Sequence, residues 1–190
     1  MAFGSRNWQR VLGLVGAVAL GLMSAMPAMA DNKVTQTITC NGGGNGFSAS
    51  ITDAAMQPAN FSTSNQNTTG LLKLTATESG CNAQGWHVTV LASGWAKDGT
   101  TTVVIPANSF SLTSTGEVTQ NAGQPTDPTN GPKKVNTTGT LENPREVADA
   151  NAGYGLGTYK QDLNVQLTIP GYTAPATYFT TMTVSMTVGP

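Results

Sequence analysis

Two stretches toward the carboxyl end of this chain alternate apolar and polar residues almost without a break. Leu163, Val165, Leu167 and Ile169 share one face of an extended chain, with Asn164, Gln166 and Thr168 on the other. Tyr178, Met182, Val184, Met186 and Val188 repeat the pattern against Thr181, Thr183, Ser185 and Thr187. A period of two marks a strand with one buried face and one wet face. Segments of the same kind, bounded by Gly, Pro, Asn or Asp, recur at residues 34–40, 46–53, 70–77, 85–92, 101–105, 109–115, 158–169 and 177–188. The pattern predicts an all-β chain folded as a single antiparallel β-sandwich, immunoglobulin-like or Greek-key. Its expected core is Phe47, Ile51, Leu72, Leu74, Trp86 and Val88, joined by Leu163, Val165, Leu167, Ile169, Tyr178, Met182 and Val184.

Residues 116–151 break the rhythm. Pro125, Pro128, Pro132 and Pro144 are spread through a run of Gly, Asn and Thr, which reads as a long irregular insertion at the surface. One short strand is expected near 134–141, and one helical turn is compatible with residues 146–152.

The amino terminus changes the setting. Arg6 and Arg10 precede an apolar run from Val11 to Met23, and Ala28-Met29-Ala30 supplies a small-x-small cleavage pattern before Asp31. Residues 1–30 are therefore expected to be an export signal, and residues 31–190 one domain. Removal of Arg6 and Arg10 takes nine basic residues to seven against ten acids, a net charge of −3. So mild and sparse a charge argues against nucleic acid as a partner. No later apolar run is long enough to span a bilayer. Asp31 in place of a cysteine argues against a lipid anchor, and Val188-Gly189-Pro190 carries no sorting tail. Attachment to a surface, on this reading, is non-covalent.

Little in the chain suggests catalysis. Cys40 and Cys81 are the only cysteines, and in an exported chain a structural disulfide is the expected state. With the single histidine, His87, they are too few to hold zinc. His87 alternates with Trp86 and Val88 and so points outward; no serine elbow accompanies it. The acids are scattered, and neither Asp149 with Asn151 nor Asp98 near Gly99 approaches a calcium loop. Catalytic residues, metal and cofactor are all expected to be none. The glycine run at 41–45 lacks the Gly-Lys-Ser/Thr ending of a phosphate loop and reads as a turn.

Aromatic residues are the remaining candidates for contact. Trp95, Tyr154 and Tyr172 lie outside the alternating segments and are the candidate binding residues. Trp95, in Ser93-Gly94-Trp95-Ala96, suits either an exposed sugar-stacking indole or a plug at the end of the sandwich. Residues 116–151 together with Trp95 form the expected contact region.

With these segments placed, the chain resembles the WxL-type surface domain of bacterial envelope proteins from about Phe47 to Pro190. Leu72-Lys73-Leu74-Thr75-Ala76-Thr77-Glu78, followed by Gly85-Trp86-His87-Val88-Thr89-Val90, is similar to that family's strand, turn and Trp-x-Leu strand, with Val88 in the leucine position. Gly157-Thr158-Tyr159, Leu167-Thr168-Ile169-Pro170 and Ala176-Thr177-Tyr178 resemble its second half, although Val184 stands where the family usually has a tryptophan. The resemblance implies a secreted β-sandwich held to the cell wall, commonly to peptidoglycan, or to a partner envelope protein. The other expectation is a structural subunit of an extracellular fibre or layer. Val34-Thr35-Gln36-Thr37-Ile38 alternates as a donated strand would, which would allow self-assembly.

Overall fold

The computed structural model describes residues 46–189. The expected export signal, the strand at 34–40, Cys40 and the glycine run at 41–45 lie outside the described residues. The elements follow as β1 (Phe47–Met56), β2 (Gln66–Glu78), β3 (Trp86–Ala92), β4 (Trp95–Lys97), β5 (Val103–Ile105), β6 (Phe110–Thr115) and β7 (Thr119–Gly123). They continue with β8 (Lys133–Lys134), β9 (Gly139–Thr140), β10 (Arg145–Ala150), β11 (Gly157–Ile169), β12 (Tyr178–Phe179) and β13 (Met182–Val188). A 3-10 turn at Ala107–Ser109 is the one helical element among the described residues. None of these elements is a helix long and apolar enough to cross a membrane.

Antiparallel pairing joins the strands into a sandwich-like all-β fold. One sheet runs β1-β2-β11-β6-β9, with β7 also paired to β11, and the other runs β13-β3-β10-β8. The longest ladder is β11 on β2, in unbroken register from Gly157↔Glu78 to Ile169↔Gln66. Along β11, Tyr159, Gln161, Leu163, Val165 and Leu167 are buried while Lys160, Asp162 and Asn164 are exposed. Leu72, Leu74 and Ala76 of β2 do the same, and Trp86, Val88, Val90 and Ala92 of β3 face them from the second sheet. Fully burying a side chain of this size contributes about 1.5–3 kcal/mol. All thirteen expected core residues lie in the core or against it. Phe47, Ile51, Ile169, Tyr178, Met182 and Val184, however, are only partly buried.

Trp86 anchors the join between the sheets. Its ring lies 6.0 Å from that of Tyr159, and its Nε1 donates to the Gly155 carbonyl oxygen at 3.1 Å. The Tyr159 hydroxyl lies 2.9 Å from the carbonyl oxygens of both Gln124 and Leu156, which share its single proton. Both large polar aromatics thus enter the core with their hydrogen bonds made, as burial requires.

The middle of the chain corrects the sequence reading. Residues 116–151 are not a surface excursion throughout. They supply β7, β8, β9 and β10, and Val118, Leu141, Val147, Ala148 and Ala150 are buried. The helical turn expected at 146–152 is instead β10, paired with β3 on one side and β8 on the other. An alanine-rich segment favours helix by intrinsic propensity, but here small side chains are needed beside a large neighbour: Ala150 pairs with Trp86. A bulge between Glu146 and Ala148 hides the alternation.

Gly155 makes the Trp86 bond possible. Its φ is 92°, and a Cβ there would overlap Trp86 Nε1. Gly153 has a similar φ of 93° with open space around it. Gly153→Ala is expected to lose roughly 1–2 kcal/mol from left-handed strain alone. Gly155→Ala should lose a further 1–3 kcal/mol or so from overpacking. Urea unfolding of the two variants side by side measures the difference; equal losses would mean Trp86 is not confined as described.

Candidate functional site

The strand pair β3–β13 turns a corner at Ser93 and Gly94. Beyond it the pairing resumes as β4 on β12, with Tyr178↔Lys97 and Phe179↔Ala96, and β5 completes a small third sheet. Ser93 holds the corner: its N–H donates to the Thr181 carbonyl at 2.9 Å, and its Oγ accepts from the Thr181 N–H at 3.0 Å. The turn folds Trp95 inward over the end of the sandwich, where its ring meets Phe110 edge-on at 5.2 Å. Of the two readings open for Trp95, the plug is the one observed.

Two loops rise around this plug. Residues 57–65 link β1 to β2, residues 170–177 link β11 to β12, and the register of β11 on β2 brings them together. Tyr172 N–H donates to the Ser62 carbonyl at 2.8 Å, and Gly171 N–H to Asn65 Oδ1 at 2.9 Å. Gln66 Nε2 donates to the Asn60 carbonyl at 2.7 Å, and the Tyr178 hydroxyl to that of Ala174 at 2.7 Å. Between the loops lies a cavity of about 530 Å³ with Trp95, Ile105 and Leu167 among its lining residues.

Tyr172 belongs to the 170–177 loop without lining the cavity; it is 74% exposed with a φ of 62°, the one non-glycine residue with positive φ among those described. The turn Pro170–Thr173 is closed by the Thr173 N–H on the Pro170 carbonyl at 3.3 Å, and its third position is left-handed, as type II requires. Glycine usually fills that third place. Here the glycine sits one position earlier, because a Cβ on Gly171 would overlap the Thr63 carbonyl oxygen. The tyrosine accepts the strained slot. Phe61, on the neighbouring loop, is exposed as well.

The other candidate residues are placed elsewhere. Tyr154 is half-buried against the core in the β10–β11 turn. Cys81 lies exposed between β2 and β3 and is not a free thiol. Of the residues that the family resemblance quoted, Trp86 and Val88 are core residues of β3, and Tyr178 is partly buried in β12. The structure therefore brings Trp95 and Tyr178 together in the cavity lining, puts Tyr172 in the adjoining 170–177 loop, and leaves Tyr154 apart. Phe61 and Thr68 belong to the site and went unread in the sequence. They lie more than a hundred residues from the 170–177 loop, and no local pattern links them to it.

His87 lies in a polar row across the second sheet, where register sets Lys133, Asp149, His87 and Thr187 on four neighbouring strands. Thr187 Oγ1 is 2.8 Å from His87 Nε2, and Lys133 Nζ is 3.7 Å from Asp149 Oδ2. Burial pushes the Asp149 carboxyl above its ordinary range, and Lys133 opposes the shift. Of the oxygens considered for calcium, Asp149 Oδ2 is engaged by Lys133, whereas Asn151 meets Asn130 through its amide nitrogen, Nδ2 donating to Asn130 Oδ1 at 3.4 Å. No group of three metal-ligating side chains occurs among the described residues.

Glu78, at the far end of β2, is 3% exposed, and its Oε2 has no hydrogen-bond partner. Burial raises its pKa, against a smaller opposing effect from the Gln84 backbone. Tyr159 is raised too, first by burial and then by the charge of Glu78. No protein-family model matches this chain, and comparison with curated proteins and with solved structures returns no match.

A carboxyl whose pKa is raised by folding favours the fold in its protonated form, so its contribution is whole below 4.5 and is lost as pH rises through the folded value. Glu78→Gln keeps the neutral form at every pH. The variant is expected to match the parent in stability below pH 4.5 and to exceed it increasingly above. Urea midpoints across a pH series test this; a pH-independent difference would show that Glu78 is not desolvated.

Proposed function

We propose that this chain is an exported, non-enzymatic envelope protein that binds a cell-wall polymer or a partner surface protein without covalent attachment. On this reading the amino-terminal signal is removed, a Cys40–Cys81 disulfide pins the segment before β1 to the β2–β3 turn, and the resemblance to WxL-type domains reflects a shared surface role. The observation that carries the proposal is Tyr172. A bulky aromatic in a left-handed conformation costs roughly 1–2 kcal/mol, and exposing its ring to water recovers none of it. Backbone bonds to the neighbouring loop nevertheless hold the turn in place, Tyr172 N–H on Ser62 and Gly171 N–H on Asn65, and Phe61 of that loop is exposed as well. Exposed aromatics on a fixed backbone are typical anchors of binding surfaces.

Tyr172→Gly separates fold from function. Glycine relieves the strain, so the variant should be equally stable or more stable by about 1 kcal/mol. Its co-sedimentation with isolated bacterial cell walls should nonetheless fall by about tenfold or more. Unchanged sedimentation would remove Tyr172 from the contact.

A second reading, assembly by strand donation, draws on a different observation. Among the described residues β1 and β13 each keep one edge unpaired, and their inward residues Phe47, Ile51, Met182, Val184 and Met186 are only partly buried. A donated strand would cover that seam and complete its hydrogen bonding. Light scattering should then show polymers of the parent chain and none of a chain lacking residues 31–39. A parent that stays monomeric would eliminate this reading.

A further inference from the structure

The cavity beneath the rim has a chemistry of its own. We propose that it binds a neutral, largely apolar molecule carrying a carbonyl oxygen, and that it does so independently of any attachment to a wall. Its volume of about 530 Å³ lies within the usual range for small-molecule sites. Its large apolar side chains include Phe61, Trp95, Ile105, Leu167, Ile169 and Tyr178, and no Asp, Glu, Lys or Arg occurs among all the lining residues. A charged ligand entering it would lose its water and find no counter-charge.

Two atoms indicate the polar part of the ligand. Trp95 is 9% exposed and Thr68 8%, both residues line the cavity, and neither Trp95 Nε1 nor Thr68 Oγ1 has a hydrogen-bond partner. Three other buried side chains have one idle oxygen, but Asp149 and Gln161 use their second polar atom, and Glu78 is bonded by the Gln84 backbone. Trp95 and Thr68 are the two whose whole side-chain hydrogen-bonding capacity is unused. The contrast with Trp86 is direct: the same indole N–H, in the same core, is satisfied by Gly155. Buried donors in native proteins are nearly always paired, and an indole N–H can only donate. Both atoms are closed off from the cavity as it stands, so a ligand carbonyl meets the indole N–H only as the Trp95 and Thr68 side chains shift on binding, and the Thr68 hydroxyl then serves either as a second donor or as an acceptor.

A second hollow of about 300 Å³ shares Met56, Trp95 and Tyr178 and continues past Leu72, Phe110 and Met182. It gives an alkyl or aryl body room to extend along the β1–β13 seam. An amide, ester or ketone with such a body matches the uncharged character of the lining.

The test uses 6-propionyl-2-dimethylaminonaphthalene, a neutral aryl ketone whose emission reports polarity and hydrogen bonding. Added to the purified chain, it should bind saturably with a blue-shifted emission. Decanamide should displace it, and decanoate at neutral pH should do so about tenfold less well or worse. Thr68→Val, which keeps the shape and deletes the hydroxyl, should weaken binding by about three- to tenfold. Ala176→Trp, a change at an exposed lining residue, should block the cavity while leaving the circular dichroism of the fold unchanged. Three results would overturn the proposal: no saturable binding by the folded parent, equal competition by decanoate, or binding indifferent to both substitutions. Because the readout is a soluble probe, loss of wall sedimentation and loss of cavity binding can be told apart.

Discussion

The pairing of β2 with β11 is the constraint on which the other features depend. It runs without a bulge from Glu78 and Gly157 to Gln66 and Ile169. Because side chains alternate along both strands, one register decides at once which residues enter the core. A slip of one residue would invert one strand relative to the other, turning either Leu72 and Leu74 or Leu163 and Val165 to water and burying Lys73 or Lys160 in their place. The same register places the loops. At one end it brings residues 57–65 against 170–177 and so builds the cavity rim. At the other it sets Gly157 beside Glu78, near the Tyr159 and Trp86 pair.

Alternation was legible wherever a strand is half-buried and regular. β2, β3, β11 and β13 could all be read from the sequence, and every residue expected in the core lies in it or against it. Three features obscured the rest. β10 is bulged and made of small residues, so its propensity pointed to helix while its neighbours demanded a strand. β4 is too short to show a period, and the single strand expected at 177–188 is instead broken between Phe179 and Met182, so that β12 and β13 join different sheets. Finally, β7 is exposed along its whole length and leaves no apolar trace.

The candidate site was legible only in part. Trp95 and Tyr172 could be singled out as aromatics outside the alternation. That they stand at one end of the sandwich, joined by Phe61 and Thr68, depends on contacts between distant residues. The strain at Tyr172 was beyond a sequence reading for another reason. Pro170-Gly171-Tyr172 looks like an ordinary turn until Thr63 is seen to claim the space at position 171. What the sequence did convey was the scarcity of charge. That scarcity gives outer faces tied by hydroxyl and amide pairs, such as Thr77 with Thr158 and Thr168 with Asn67.

Those two pairs also measure how far apart in the chain the central strands lie, 81 residues at one end and 101 at the other. Closing a loop of that length costs roughly 4 kcal/mol of chain entropy before the first ladder bond forms. The β1–β2 hairpin can assemble early, but its second edge stays bare until β11 arrives. During that interval Leu72 and Leu74 lack their partners on β11, and the half-built sheet presents the kind of edge that pairs with other chains. Folding of this molecule is therefore a race between the arrival of its own late strand and capture by a neighbour.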